Sequence, residues 1–127
     1  MEQLRILLVD DEEDFASTLA ERLELRGFQA EVATSGIDAL EHVGEDDFSV
    51  LILDVKMPGI DGLGVMAEVK RKRPELPIIL LTGHGAIASA ETGMKEGAFD
   101  YLMKPVDLET LIEKIRDAAS TRRGQRL

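Results

Sequence analysis

Five polar side chains in this 127-residue sequence stand at the ends of short apolar runs. Asp10 and Asp11 follow the first run, Asp54 follows the run "VLIL", Thr82 follows "IILL", and Lys104 follows "DYLM". In an open α/β sheet, ligands bind beyond the carboxyl ends of the strands. If these runs are neighbouring parallel strands, three carboxylates, one hydroxyl and one ammonium group converge on one site.

This set of groups is suited to phosphoryl transfer. Three carboxylates held close together repel one another and favour a hard cation, and Mg²⁺ takes oxygen ligands from one or two carboxylates plus a phosphate oxygen. An aspartate can also act as a nucleophile and form an acyl phosphate. A metal, a lysine and a hydroxyl would bind the three equatorial oxygens of the transferred group.

Each residue alone has an ordinary structural explanation. The acidic run that continues through Glu12, Glu13 and Asp14 is typical of a helix start, where the helix dipole favours negative charge. Asp54 could cap a turn before Pro58, and Lys104 could be a solvated loop lysine. The joint placement of the five residues after four separate runs favours a single site.

The elements that would position these residues alternate along the chain. Continuous apolar runs predict strands at 6–9, 50–53 and 78–81, and two further short strands are predicted at 29–33 and 101–103. Between and after them, apolar residues at helical spacing predict five helices; the second carries Ile37, Leu40 and Val43 and ends at Gly44. Strict alternation predicts an α/β fold, a doubly wound five-stranded parallel sheet with helices on both faces.

Composition excludes several classes of protein. The net charge of −10 argues against a nucleic-acid surface spread over the domain. No apolar run is long enough to span a bilayer, and the N-terminus is too acidic for a signal peptide. Without cysteine there is neither a disulfide framework nor a thiolate metal site, so a cytoplasmic location is expected.

Four motifs resemble one known family. "LVDDEEDF", "LILDVKMPGIDG", "LLTGHG" and "DYLMKP" are similar, in order and spacing, to the response-regulator receiver domains of two-component signalling, over residues 4–119. "TGHG" more specifically resembles the receivers of enhancer-binding transcriptional activators. The resemblance implies the flavodoxin-like strand order 2-1-3-4-5, and it divides the chain into a receiver domain at 1–121 and a tail or linker at 122–127.

The resemblance also implies roles for individual residues. Asp54 matches the phosphoacceptor, and Asp10 and Asp11 match the acidic pair that holds Mg²⁺ (or Mn²⁺), with Asp11 and Asp54 as direct ligands and Asp10 acting mainly through water. The backbone carbonyl of Lys56 matches the third protein ligand. Thr82 matches the switch hydroxyl, Tyr101 the switch aromatic and Lys104 the cation. The Lys104–Pro105 peptide matches a bond that is usually cis in the family.

The leading hypothesis is therefore a phosphorylation-activated switch and not an enzyme with an external substrate. Its implied partners are a histidine kinase or phosphotransfer protein, an effector domain or downstream protein that controls transcription or another output, and a second copy bound through the face from the fourth to the fifth helix. Direct nucleic-acid binding and membrane insertion are not expected.

Other functions fit the sequence less well. The main alternative is a small Mg²⁺-dependent phosphatase with an aspartyl nucleophile, but such enzymes typically carry D-x-D after the first strand, whereas Asp10 and Asp11 are adjacent. A nucleotide or flavin site is disfavoured because the first strand-to-helix turn has no glycine and would repel phosphate.

Overall fold

Five strands alternate with five α-helices, as the apolar pattern predicts. The computed structural model describes residues 3–126 of the chain, with side chains through residue 121. The elements are β1 (Arg5–Val9), α1 (Glu13–Leu25), β2 (Gln29–Ala33), α2 (Gly36–Glu45), β3 (Val50–Asp54), α3 (Gly62–Lys72), β4 (Ile78–Thr82), α4 (Ile87–Lys95), β5 (Asp100–Met103) and α5 (Leu108–Arg126). A short 3₁₀ turn, His84–Ala86, precedes α4.

The strands form one parallel sheet in the order β2-β1-β3-β4-β5. This order confirms the flavodoxin-like topology. Because every strand runs in the same direction, the carboxyl ends of β1, β3, β4 and β5 lie along one edge. In this register Asp54 is paired with Leu81, and Thr82 is paired with Met103.

The sheet is buried on both faces, which explains why its central strands are apolar without alternation. Along β1, Leu7 and Val9 belong to one core cluster and Ile6 and Leu8 to the other. Buried residues of α2, α3 and α4 complete the first cluster, whereas those of α1 and α5 complete the second. Helices therefore cover both faces, as predicted.

The second helix departs from the prediction in two respects. Ile37 is 65% exposed, so it does not belong to the buried face. That face consists of Gly36, Ala39 and Val43, and Ile37 lies one residue, or about 100°, around the helix from it. The helix also continues through Gly44 to Glu45, because the residue after Glu45 still donates its backbone N–H to the His42 carbonyl.

Two of the helices are followed by a glycine. Gly27 and Gly97 follow α1 and α4 with φ of 93° and 111°, the left-handed conformation that glycine adopts without strain.

The fifth helix extends to Arg126, so the predicted boundary between 121 and 122 does not coincide with the end of a helix. Residue 127 lies outside the described residues, and the division of the chain stays a prediction. Across the described part of the chain, no helix is long and apolar enough to cross a membrane.

Candidate functional site

Two neighbouring strands place the acidic residues at one edge of the sheet. Asp10 follows β1 and is fully buried, while Asp54 is the last residue of β3 and is 5% exposed. Asp11, the next residue after Asp10, is exposed. Carboxylate oxygens of the three residues lie within 4.8 Å of one another. The structure thus brings together three carboxylates that are separated by up to 44 positions in the sequence.

One oxygen of Asp10 is incompletely satisfied. Its Oδ1 accepts a hydrogen bond from the Glu12 backbone N–H at 2.9 Å. Its Oδ2 is buried and accepts no well-aligned hydrogen bond within the described residues, although Lys104 Nζ lies 2.8 Å away. Such a buried carboxylate oxygen is costly unless a further cation or donor compensates its charge.

Lys104 provides the positive charge of the site. It follows β5, where its backbone N–H donates to the Thr82 carbonyl at 2.8 Å, and the peptide bond to Pro105 is cis, as the resemblance implies. Its ammonium group lies 2.8 Å from Asp10 Oδ2, 2.8 Å from Glu12 Oε1 and 3.8 Å from Asp54 Oδ2.

The surroundings of Lys104 keep it charged. Burial alone would lower the pKa of Lys104, but the close ion pair with Asp10, the hydrogen bond to Glu12 and the charge of Asp54 outweigh burial. The pKa of Lys104 therefore lies above its ordinary value. The ammonium group also lies 4.6 Å from the centre of the Phe15 ring, a distance at which a cation–π contact is favourable.

Asp54 is held in a site that disfavours its charge. Burial raises the pKa of Asp54 to about 7, and the negative charges of Asp10 and, to a smaller extent, Asp11 act in the same direction. Lys104 and the backbone N–H of Lys56, which lies 3.4 Å from Asp54 Oδ1, oppose the rise without cancelling it. The acidic cluster therefore carries more negative charge than Lys104 neutralises.

The remaining predicted residues lie around this centre. Thr82 is the last residue of β4, is fully buried, and donates its hydroxyl to the Gly83 carbonyl at 3.0 Å. Tyr101, on the adjacent β5, is half-buried and packs against the core cluster of α2, α3 and α4. The Lys56 side chain is exposed, so only its backbone bears on the site.

Sequence reasoning missed the contact that Glu12 makes. It assigned Glu12 to an ordinary acidic helix start, yet Glu12 occupies the N-cap position of α1 without making a side-chain cap, and its carboxylate instead pairs with Lys104. The partner lies 92 positions further along the chain, so no local pattern identifies it. The only signal is that Glu12 directly follows Asp10 and Asp11.

The three aspartates fit a hard divalent cation. They supply only carboxylate oxygens, which are the ligands that Mg²⁺ and Mn²⁺ prefer. The raised pKa of Asp54 shows uncompensated negative charge at the point where these oxygens meet, and the buried Oδ2 of Asp10 accepts no well-aligned hydrogen bond there within the described residues. A cation bound there would compensate it.

A second group of possible metal ligands lies around Arg5 of β1, whose guanidinium already neutralises its negative charge. Carboxylate oxygens of Glu31 and Asp46 and a ring nitrogen of His42 lie within 4.8 Å of one another. Arg5, however, lies 2.8 Å from Glu31 and 3.8 Å from Asp46. This group therefore forms an ion-pair network around a guanidinium.

Comparison with known proteins agrees with this geometry. A family model described as the response regulator receiver domain matches residues 6–116. The chain belongs to this family. It is therefore the receiver domain of a response regulator in two-component signalling, which confirms the family expected from the four motifs.

Several relatives of this receiver domain are full-length regulators. It is 38% identical to a response regulator named NtrX-like from Rickettsia typhi, over 99% of this chain and 27% of that protein. It is 36% identical to the C4-dicarboxylate transport transcriptional regulatory protein DctD from Rhizobium meliloti, over 93% of this chain and 26% of that protein. The receiver domain thus spans about a quarter of the length of these relatives. Because NtrX and DctD are regulators of the enhancer-binding type, these relatives confirm the expected likeness to receivers of enhancer-binding transcriptional activators.

A solved structure matches almost end to end. The crystal structure of a response regulator receiver domain protein from Clostridium thermocellum has a TM-score of 0.91 and 35% identity, and the match covers 94% of this chain and 97% of that one. These comparisons lend no support to the phosphatase alternative.

Proposed function

We propose that this receiver domain is a phosphorylation-activated switch in which Asp54 accepts a phosphoryl group from a phosphohistidine of a histidine kinase or phosphotransfer protein. The main support for this proposal is the set of charged groups around Asp54. Its carboxylate shares an edge with those of Asp10 and Asp11, and the Lys104 ammonium lies 3.8 Å from its Oδ2. A nucleophile, an acidic cation site and a fixed positive charge are the groups that phosphoryl transfer needs.

The metal of this proposal is Mg²⁺, with Mn²⁺ as a substitute. Asp11 and Asp54 would bind it directly, Asp10 mainly through water, and the Lys56 backbone carbonyl would be the third protein ligand. When bound, the metal supplies positive charge that neutralises the carboxylates and the oxygens of the incoming phosphoryl group. The supporting observation is the donor set itself, which consists only of oxygen atoms and has one buried oxygen without a well-aligned partner.

The residues of the chain have distinct roles in this reaction. Asp54 must be deprotonated to attack phosphorus, and the Lys104 ammonium favours that form. The same ammonium would neutralise an equatorial phosphoryl oxygen once the group is bound. Thr82 lies at the end of the next strand, and we propose that its hydroxyl leaves the Gly83 carbonyl to bind the phosphoryl group.

The output of the switch would be a change in its binding surface. Tyr101 is half-buried on β5, next to the strand that ends at Thr82, so it can follow a movement of Thr82. This coupling would change the surface formed by α4, β5 and α5. The changed surface would then bind an effector domain or a downstream protein. Control of transcription is proposed because relatives such as DctD are named transcriptional regulators.

The phosphodonor protein must reach Asp54 from the edge of the sheet. A groove of about 410 Å³ lies beside the site and has Pro105 and Val106 on one side and Phe15 and Leu19 of α1 on the other. Its mixed apolar and charged lining suits a transient protein contact. We propose that the domain turns over no external substrate and makes no direct contact with nucleic acid. We also propose a cytoplasmic location.

The first test is whether the chain takes up a phosphoryl group. Incubation with acetyl phosphate and Mg²⁺ should give one phosphoryl adduct in the intact mass. With EDTA in place of Mg²⁺ the adduct should fall by at least about tenfold, because the carboxylates then repel the donor. The absence of any adduct with Mg²⁺ would refute the proposed function.

A second test concerns self-association. If phosphorylation exposes a dimer surface between α4 and α5, sedimentation should show a monomer without a phosphoryl mimic and a dimer with beryllium fluoride and Mg²⁺. The Asp54→Asn chain, treated in the same way, serves as the control and should remain monomeric. An unchanged monomer in the native chain would count against dimerisation while leaving the phosphoacceptor role intact.

A further inference from the structure

We infer that Glu12 is a positioning residue that holds the Lys104 ammonium away from Asp54 and so slows phosphorylation of the resting domain. This inference rests on the proposed function of Asp54. It assigns a role to a residue at the rim of the site that is neither a metal ligand nor a nucleophile.

The distances show a competition for one ammonium group. Lys104 Nζ lies at hydrogen-bond distance, 2.8 Å, from both Asp10 Oδ2 and Glu12 Oε1, but 3.8 Å from Asp54 Oδ2. An ammonium group has three N–H donors, so two acidic neighbours leave one for Asp54 or a ligand. The position of Nζ is thus set by Glu12 and Asp10 and not by the carboxylate that would react.

Among the described residues, the Glu12 side chain makes no hydrogen bond or ion pair other than the one with Lys104. It is the N-cap residue of α1, but its side chain accepts no capping hydrogen bond. Its side chain is 64% exposed, whereas that of Lys104 is 18% exposed. The hydrogen bond to Lys104, followed by the attraction of its charge, holds the pKa of Glu12 below its usual value.

Phosphorylation changes what Lys104 must do. A bond forms between Asp54 Oδ and phosphorus while the bond from phosphorus to the acetyl oxygen of acetyl phosphate breaks, and acetate leaves with the electron pair. The new phosphoryl oxygens lie beyond Asp54, so Lys104 must move toward them to neutralise their charge. The Glu12 carboxylate, which holds the Lys104 ammonium at 2.8 Å, opposes that movement.

The test compares Glu12→Gln with the native chain in acetyl phosphate and Mg²⁺, using intact mass over time. We expect the rate constant for adduct formation to rise about two- to fivefold, which is the range for one partly exposed ion pair. Glu13→Gln is the matched control, since Glu13 is an exposed neighbour with the same charge change and no contact with Lys104. It should leave the rate within about 1.5-fold of native.

Two further measurements separate positioning from charge and from folding. In a Lys104→Met background, Glu12→Gln should give no further increase, because its effect acts through the ammonium group. By NMR titration without phosphodonor, Glu12→Gln should lower the pKa of Lys104, whereas Glu13→Gln should not.

The outcomes distinguish this inference from the proposed function. An equal rise with Glu13→Gln, a rise that persists in Lys104→Met, or an adduct that forms at the native rate in Glu12→Gln would overturn only the role of Glu12. If the native chain forms no adduct, both the role of Glu12 and the proposed function fail.

Discussion

The Asp54→Asn chain should be more stable than the native chain in metal-free buffer above pH 7, although it forms no phosphoryl adduct. Asp54 is 5% exposed and lies among the carboxylates of Asp10 and Asp11, so its charge is unfavourable in the folded state. Asparagine removes that charge and adds an N–H₂ group. This group can donate to the buried Oδ2 of Asp10, which accepts no well-aligned hydrogen bond in the described structure.

The pH dependence of stability follows from the same carboxylate. Asp54 has a pKa of about 7 in the folded state against an ordinary value of 3.8. Between these pH values the folded state retains a proton that the unfolded state has lost, so the free energy of unfolding falls as pH rises. At about 1.4 kcal/mol per pH unit, the native chain should lose roughly 2–4 kcal/mol across this window, and Asp54→Asn should not lose it.

Urea unfolding in EDTA at several pH values measures this effect. Asp117→Asn is the matched control because Asp117 is exposed on α5, and it should follow the native pH profile. Added Mg²⁺ should narrow the difference in stability, since a cation that binds only the folded native chain stabilises it by about 2.7 kcal/mol at a hundred times its Kd. A native chain whose stability does not decrease between pH 4 and pH 7 would contradict the account of Asp54.

The sheet could be predicted because burial on both faces leaves a simple signal. Strands such as β3 and β4 are fully buried, and their residues from Val50 to Leu53 and from Ile78 to Leu81 are all large and apolar. An apolar run of this kind, between two segments with helical spacing, has few interpretations other than a buried strand. The end of each run then locates the polar residues, since parallel strands share one carboxyl edge.

The same reasoning fails where packing depends on one or two residues. Ile37 has the spacing of a core residue relative to Leu40, but α2 lies with Gly36 close to Val65 and Ile60. A glycine carries no hydrophobic signal, so the sequence pattern is right for Leu40 and Val43 and wrong for Ile37. Glu12 shows the corresponding limit for charged groups, because its partner Lys104 is brought near only by the complete sheet.

Replacing Gly62 by alanine should destabilise the domain and displace its proposed phosphoacceptor. A Cβ at this position would lie 2.3 Å from the Asp54 carbonyl oxygen and 2.7 Å from the Val55 Cα. Both atoms belong to the backbone and cannot move aside as a side chain can. The Gly62 N–H also donates to the Val55 carbonyl at 3.0 Å, so the start of α3 is fixed against the end of β3.

We expect a loss of about 3 kcal/mol in the free energy of unfolding, measured with urea, because overpacking of this kind forces backbone shifts. Gly44→Ala is the matched control. It makes the same change within α2, where nothing lies within 4 Å of the new Cβ, and should raise stability by about 0.5–1 kcal/mol through helix propensity.

The free energy of unfolding and the rate of adduct formation should fall together in Gly62→Ala. The clash involves the carbonyl of Asp54 itself, so relief by movement of the loop between β3 and α3 must shift either the Asp54 backbone or the Lys56 carbonyl proposed as a metal ligand. Among molecules that remain folded, the rate of adduct formation should therefore fall at least about tenfold, as expected for a displacement of about 1 Å in a reacting group. A Gly62→Ala chain with native stability and native phosphorylation would show that the loop is free to move, and that the close contact does not position Asp54.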